Sequence, residues 1–295
     1  MTASPAPTGT LHVVATPIGN LEDITLRALR VLREVTVIAA EDTRRSAKLL
    51  AHFGIPTPML SYHAHNWRSR LPQILARLEL GHPVAVVTDA GTPGISDPGT
   101  ELVAACVVRG IRVEPVPGVS APVTAAVASG FPLEPFTILG FSPHRASDRS
   151  KWLHELSAIT HTVCFFETPH RIRATLLDAG EILGERPMMV ARELTMAHEE
   201  SIHGHAAGLA GKLGVEKGEF TIVVGPAPAP VRESAALTDE ELAVEFGRMV
   251  DSTAPRSRRD LVTALARKTG RSARDVYAAL ERTKLRSNDQ SQGHS

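Results

Sequence analysis

Residues 84–99 read VAVVTDAGTPGISDPG, and the change of character inside that stretch decides the fold. The first four residues are apolar, small or β-branched, with no polar alternation, the pattern of a strand covered on both faces. An aspartate follows, with glycines at 91, 94 and 99 and prolines at 93 and 98, which continue neither strand nor helix. Residues 100–109 then read as a helix that Gly110 closes.

The same order recurs on either side. Residues 11–15 form an apolar strand that stops at Thr16-Pro-Ile-Gly-Asn20, before apolar residues at helical spacing over 24–32. Residues 35–40 form a short strand ending in Glu41-Asp42-Thr43-Arg44, and a helix over 46–53 ends at Gly54. Residues 59–62 are weakly strand-like, 71–80 are helical up to Gly81, and 113–116 form a strand stopped by Pro117-Gly118. Short continuous strands alternating with helices predict an α/β fold with a mostly parallel sheet covered on both faces. Ligands of such sheets bind outside the carboxyl ends of the strands, which here carry the glycines, prolines and acids.

A second α/β unit follows, with strands over 136–141, 163–167, 188–194 and 220–224 and its clearest helix over 171–183. Residues 226–230 are a proline-rich linker. Beyond it lie helices over 238–250, with Thr238 as N-cap, 257–268 and 273–283, where Ser272 and Asp275 form a capping-box pattern. Leu261, Leu265, Val276, Tyr277 and Leu280 give the last pair an apolar seam. The expected organisation is a disordered leader (1–10), an N-terminal α/β domain (11–120) and a C-terminal α/β domain with a mixed sheet (121–226). A linker (227–236), a basic helical module (237–286) and a disordered tail (287–295) complete it.

With 43% hydrophobic residues and 22% charged, the 295-residue chain has the composition of a globular protein of two domains and a small third. No apolar run is long enough for a membrane span, and residues 1–10 lack the basic and apolar regions of a signal peptide. Cys106 and Cys164 sit in apolar runs, which points to buried reduced thiols in a cytoplasmic protein. The net charge is zero but unevenly spread. Ten Lys/Arg face three acids between Arg256 and Arg286, so the remainder is acidic by seven. That split suggests one module for contact with a polyanion and another for chemistry.

The first strand-to-helix turn is not G-x-G-x-x-G, and no G-x-x-x-x-G-K-[ST] occurs, which removes the dinucleotide and P-loop classes. Without a phosphate nest, loops 16–20, 88–99 and 117–121 suit a neutral or cationic ligand that backbone groups approach closely.

Taken together, Thr16-Pro-Ile-Gly-Asn-Leu21, Ala40-Glu-Asp-Thr-Arg44, Asp89 to Gly99 and Pro117-Gly-Val-Ser-Ala121 resemble the tetrapyrrole methylase superfamily. More closely, they are similar to its 16S rRNA (cytidine-2′-O)-methyltransferase family. Glu167-Thr-Pro-His-Arg171, Arg192-Glu-Leu194 and His198-Glu-Glu200 continue the likeness, which spans residues 11–285. Thr168 stands where that family more often has serine. The resemblance implies two α/β domains of tetrapyrrole-methylase type and S-adenosyl-L-methionine as cofactor, folded between them. It also implies small-subunit rRNA or the assembled small ribosomal subunit as partner, a cytidine near the decoding centre as target, and a homodimer.

For cofactor binding the resemblance points to Pro17, Ile18, Asp89, Ala90, Gly91, Thr92, Ile95, Ser96, Ser120, Ala121 and Phe166. For catalysis the candidates are Glu41 and Asp42 as proton acceptors, Arg44 to hold phosphate or a substrate oxygen, and His63 as a reserve base because imidazole titrates near neutrality. No metal is expected: His63-x-His65 and His203-x-His205 lack further ligands. Asp97 either caps the helix beginning near Pro98 or touches cofactor. Glu167, His170 and Arg171 form either a helix-start network or part of the cleft, and Arg192 with Glu193 form either a site pair or only an ion pair between domains. Two rival functions are a corrinoid- or porphyrin-precursor methyltransferase, which has no need of the basic module, and a ribosome-assembly factor that binds without turnover.

Overall fold

The computed structural model describes residues 8–214, 216–228, 237–252, 257–269 and 271–292. By internal contacts the chain divides into two compact units, Met1–Pro228 and Ala229–Ser295.

The first unit contains two five-stranded sheets. In one, β1 (Leu11–Val14), β2 (Val37–Ala40), β3 (Met59–Ser61), β4 (Val84–Val87) and β5 (Val113–Val116) run parallel in the order β3-β2-β4-β1-β5. Pleating explains why these strands are apolar throughout. Val37 and Ala39 of β2 and Val84 and Val86 of β4 face α3 (Trp67–Glu79) and α4 (Thr100–Val108). The intervening Ile38, Ala40, Ala85 and Val87 face α1 (Leu26–Glu34) and α2 (Thr43–His52). Each fully buried aliphatic side chain contributes about 1.5–3 kcal/mol.

The second sheet is mixed, as the sequence predicts. Its strands are β6 (Phe136–Phe141), β7 (Thr162–Glu167), β8 (Pro187–Arg192), β9 (Glu200–His205) and β10 (Phe220–Val224), in the order β6-β7-β10-β8-β9. Only β6 and β7 run parallel. One face packs on α6 (Ala146–Ser157), α7 (Ile172–Leu183) and α8 (Ala206–Lys212). The other receives α5 (Ala121–Ser129) and Ile18, which reaches over from the loop after β1. The two α/β halves are therefore joined by apolar packing next to the strand ends.

The second unit is a three-helix module of α9 (Asp239–Ser252), α10 (Arg258–Thr269) and α11 (Ala273–Gln292) around Leu242, Val262, Leu265, Val276 and Leu280. Its caps follow the sequence reading. Thr238 accepts the Glu241 N–H at 3.2 Å while Glu241 accepts the Thr238 N–H at 2.8 Å, and Ser272 accepts the Asp275 N–H at 3.1 Å.

Three expectations need correction. The leader ends earlier than residue 10, because the Gly9 N–H donates to Leu78 O at 2.7 Å and the Val84 N–H to Thr10 O at 3.0 Å. A Cβ at Gly9 would fall on the His82 backbone, so only glycine fits there. The helical module does not end at 286: α11 continues to Gln292 through the start of the expected tail. Tyr277 is 49% exposed beneath the Arg258 guanidinium rather than part of the seam. Residues 1–7 of the leader, 229–236 of the linker and 293–295 of the tail lie outside the described residues.

Candidate active site

The carboxyl ends of the parallel sheet build one wall of a cleft of about 330 Å³. Loop 16–20 and loop 88–99 are zipped together: Thr16 and Gly91 exchange backbone hydrogen bonds at 2.9 and 3.0 Å, and Thr16 Oγ1 donates to Thr88 O at 3.0 Å. Gly91 has φ +75°, a conformation that glycine adopts without a Cβ penalty, and it adds no side chain to the cleft wall. Gly19 has a different task. A Cβ there would run into Leu194 O, Thr195 and Met196, so the glycine lets the two α/β halves approach.

Carboxylates cluster at this wall. The Asp89 N–H donates to Glu41 Oε2 at 3.2 Å, the Asp42 N–H donates to Asp89 Oδ1 at 3.1 Å, and Arg45 Nη1 lies 3.4 Å from Asp89 Oδ2. Asp97 and Glu219 complete the set. Burial, then the charges of Glu41, Asp89 and Glu219, push the Asp97 carboxyl up to about 7. Burial also raises Glu41, against the opposing Asp89 N–H, and raises Glu219, against the opposing Arg45 charge.

The opposite wall comes from the second sheet. Phe141 lies on Phe166 with ring centroids 5.2 Å apart, and residues 167–169 and 218–221 continue the lining. The wall is anchored by Glu167, whose side chain is fully buried. It accepts from Arg171 at 2.7 Å, Thr175 at 2.6 Å, the Thr168 N–H at 2.7 Å and the Ser142 hydroxyl.

The structure gathers most of the expected cofactor residues. Ile18 comes from the first loop and Asp89, Ala90, Gly91, Thr92, Ile95 and Ser96 from the second. Ser120 and Ala121 start α5, and Phe166 lies opposite; all line the cleft, whereas Pro17 does not. Among the catalytic candidates only Glu41 lines it. Asp42 is the N-cap of α2, accepting the Arg44 N–H at 2.8 Å, and its carboxylate pairs with the Arg44 guanidinium, also at 2.8 Å. That pairing holds Asp42 far below the usual carboxylate range. Arg44 is 88% exposed, and the guanidinium in the cleft is that of Arg45, one residue on. His63 sits in the turn after β3, its Nδ1 accepting the His65 N–H at 3.2 Å.

Asp97 does not cap α4, whose N-cap is Gly99; it faces the cleft. Glu167 and Arg171 form the helix-start network, through which Thr168 and Pro169 are presented to the cleft. Arg192 pairs with Glu193 at 3.8 Å, as expected, and also along its own sheet with Glu200 at 3.2 Å. Among the described residues no group of three or more His, Cys, Asp or Glu could hold a metal ion. No described helix is long and apolar enough to cross a membrane. Arg45, Phe141 and Glu219 were not singled out by the sequence. Arg45 had a usable signal, since it directly follows the Glu41-Asp42-Thr43-Arg44 motif.

Residues 10–210 match the tetrapyrrole (corrin/porphyrin) methylases. The chain is 42% identical to ribosomal RNA small subunit methyltransferase I of Synechocystis sp. over 91% of its length and 96% of that protein. It is 47% identical to the protein of that name in Halalkalibacterium halodurans, over 73% of this chain and 75% of that one. Among solved structures it resembles a diphthine synthase, with a TM-score of 0.62 and 14% identity over 74% of this chain and 90% of that one. It also resembles a Thermus thermophilus uroporphyrin-III C-methyltransferase complexed with S-adenosyl homocysteine, with a TM-score of 0.53 and 21% identity over 73% and 97%. At those identities the two structures speak to the fold alone.

Proposed function

The chain belongs to the ribosomal RNA small subunit methyltransferase I family of tetrapyrrole methylases, and from that premise we propose that it methylates the ribose 2′-hydroxyl of a cytidine in 16S rRNA, near the decoding centre. One observation carries the choice of RNA over a tetrapyrrole. The likeness to a relative named for rRNA covers 91% of the chain and so extends into the basic helical module, beyond the residues shared with the tetrapyrrole methylases in general.

The cofactor is S-adenosyl-L-methionine, and the cleft residues fit it. Glu41, Asp89, Asp97 and Glu219 stand against the single cation Arg45 among the lining side chains, an acid excess suited to a ligand bearing sulfonium and ammonium charges. The missing side chain at Gly91 and the small side chains of Ala90 and Ala121 leave room along the first wall. Bound there, the cofactor supplies a methyl group activated by the positive sulfur.

The protein's first contribution is orientation: holding two reactants in line supplies about 7–11 kcal/mol of a barrier. Its second is proton acceptance, which falls to Glu41 and Asp97. Both line the cleft, and the charge of Glu41 helps to raise Asp97 into the range where a carboxylate is an effective base near neutral pH. Arg45, 62% exposed at the same wall, meets RNA phosphate in the role expected of Arg44. The expected partner is rRNA or the assembled small subunit in the cytoplasm, with the protein acting as a homodimer.

Purified protein incubated with labelled S-adenosylmethionine and unmethylated small subunits, followed by nucleoside mass spectrometry, tests the proposal. A new 2′-O-methylcytidine is expected. Cofactor binding without transfer to the subunit would redirect attention to tetrapyrrole substrates or to a binding-only assembly factor.

A further inference from the structure

Phe141 ends β6 at the mouth of the cleft and is 51% exposed. A single exposed aromatic ring is ordinary, but three features set this one apart. First, the β6–β7 pairing shifts register between Ile138 and Phe141, a bulge of the kind that re-aims a side chain beside a site. Second, the bulge depends on Gly140 at φ +74°, where a Cβ would meet Ser96 Oγ at 3.1 Å. The bulge is thereby seated against the loop that carries Asp97. Third, the ring leans on Phe166, at an interplanar angle of 40°, so it is propped rather than free to swing.

We propose that Phe141 is the platform on which an unstacked nucleobase of the RNA rests, so that the attached ribose reaches the carboxylates of the cleft. This inference rests on the rRNA reading above. Sequence-specific recognition of RNA targets unstacked bases splayed out of the strand, and an extruded base needs a replacement surface. An aromatic face serves any base, because every base has a π-face. The position of Phe141 favours an incoming base over the cofactor's adenine: the residue is half exposed to solvent, from which RNA arrives, and its ring is backed by Phe166. With Arg45 on the facing wall, the mouth offers both an apolar seat and a cation for one nucleotide.

The test compares wild type with Phe141→Ala, Phe141→Tyr and Phe141→Trp. Three readouts are taken: calorimetric binding of S-adenosylhomocysteine, kcat and KM on small subunits, and fluorescence of a single-stranded RNA carrying pyrrolocytidine, a probe quenched by stacking. The alanine variant is expected to lose on the order of tenfold to a hundredfold in kcat/KM for RNA. It should also lose the quenching while keeping its affinity for S-adenosylhomocysteine, and tyrosine or tryptophan should restore both losses. Weakened cofactor affinity in Phe141→Ala, matching the loss of turnover, would overturn the proposal by assigning the ring to the cofactor. Unchanged quenching and kinetics would also overturn it. Wild type that quenches the probe in a Phe141-dependent way but transfers no methyl group would overturn the methylation reading and uphold the stacking role.

Discussion

Glu41 and Asp89 are clasped across two adjacent strand ends: the backbone N–H of Asp89 donates to Glu41 Oε2 at 3.2 Å, and the backbone N–H next to Glu41, that of Asp42, donates back to Asp89 Oδ1 at 3.1 Å. The clasp ties β2 to β4 at the cleft wall and fixes the direction of both carboxylates. Asp89→Ala removes the acceptor for the Asp42 N–H and the partner of Arg45. A lost charge-assisted hydrogen bond costs about 1.5–3 kcal/mol. The expected outcome is weaker binding of S-adenosylhomocysteine by roughly tenfold to a hundredfold in calorimetry, with Asp89→Asn intermediate. Unchanged affinity in both variants would remove Asp89 from the cofactor site.

Asp97 links pH to activity and to stability with opposite signs. Its carboxyl is raised from the ordinary 3.8 to about 7 in the folded protein. If it accepts the ribose proton, kcat/KM rises with pH and levels off above about 7. Between 3.8 and about 7 the folded state holds a proton that the unfolded chain has released, so this group's contribution to stability falls as pH rises through that window. Asp97→Asn should therefore lower turnover by roughly 10²–10⁴-fold and flatten the pH profile. It should also melt at a higher temperature than wild type at pH 8, an advantage absent at pH 4. A profile with the wild-type inflection would transfer the role to Glu41.

Glu167 is a structural prediction. Its fully buried carboxylate faces Arg171, whose side chain is 16% exposed. Glu167→Ala leaves that guanidinium without its partner and strands the Thr175 and Ser142 hydroxyls. Breaking a buried pair on one side costs about 3–5 kcal/mol. Urea unfolding should show a loss of that size, and Glu167→Gln a smaller one. A change below about 1 kcal/mol would mean the network relaxes around the gap.

Most of the fold was legible because its elements follow local rules. Residues 84–87, 113–116, 136–141 and 220–224 are strands with the bounds read from sequence, since each is a short run rich in β-branched or aromatic residues bounded by glycine and proline. The sequence left β9 unassigned because it is an exposed edge, ESIHGH, in which Ile202 is the one aliphatic residue longer than alanine. It pairs only through its ladder with β8. It also left α5 unassigned. APVTAAVAS has no polar stripe, because the helix buries Ala125 and Ala126 and leaves Val123 and Val127 exposed. At the site, motif loops located the cleft but not the direction of each side chain. Arg44 and Arg45 differ by about 100° around a helix, and only the Asp42 cap decides which one faces the cleft. Glu219 belongs to no motif; it reaches the wall because its backbone accepts the Glu193 N–H at 2.9 Å beside β10.

The charge of the helical module overstates what is free to meet RNA. Arg258 pairs with Glu281 at 2.6 Å, Lys268 with Glu245 at 2.5 Å and Arg282 with Asp239 at 2.7 Å. Arg259 and Arg274 are exposed, and no ion pair is formed by either among the described residues. If the module holds phosphates, Arg259→Ala and Arg274→Ala should weaken RNA binding uniformly across sequences. Each should also reduce the slope of log affinity against log salt by about one. Arg282→Ala should instead lower the melting temperature of the module and leave that slope nearly unchanged, because its guanidinium is engaged with Asp239. Filter binding at several salt concentrations reads the slope, and circular dichroism reads the melting. Equal slopes in wild type and both exposed-arginine variants would mean that Arg259 and Arg274 meet no phosphate, and that the RNA is held elsewhere on the protein.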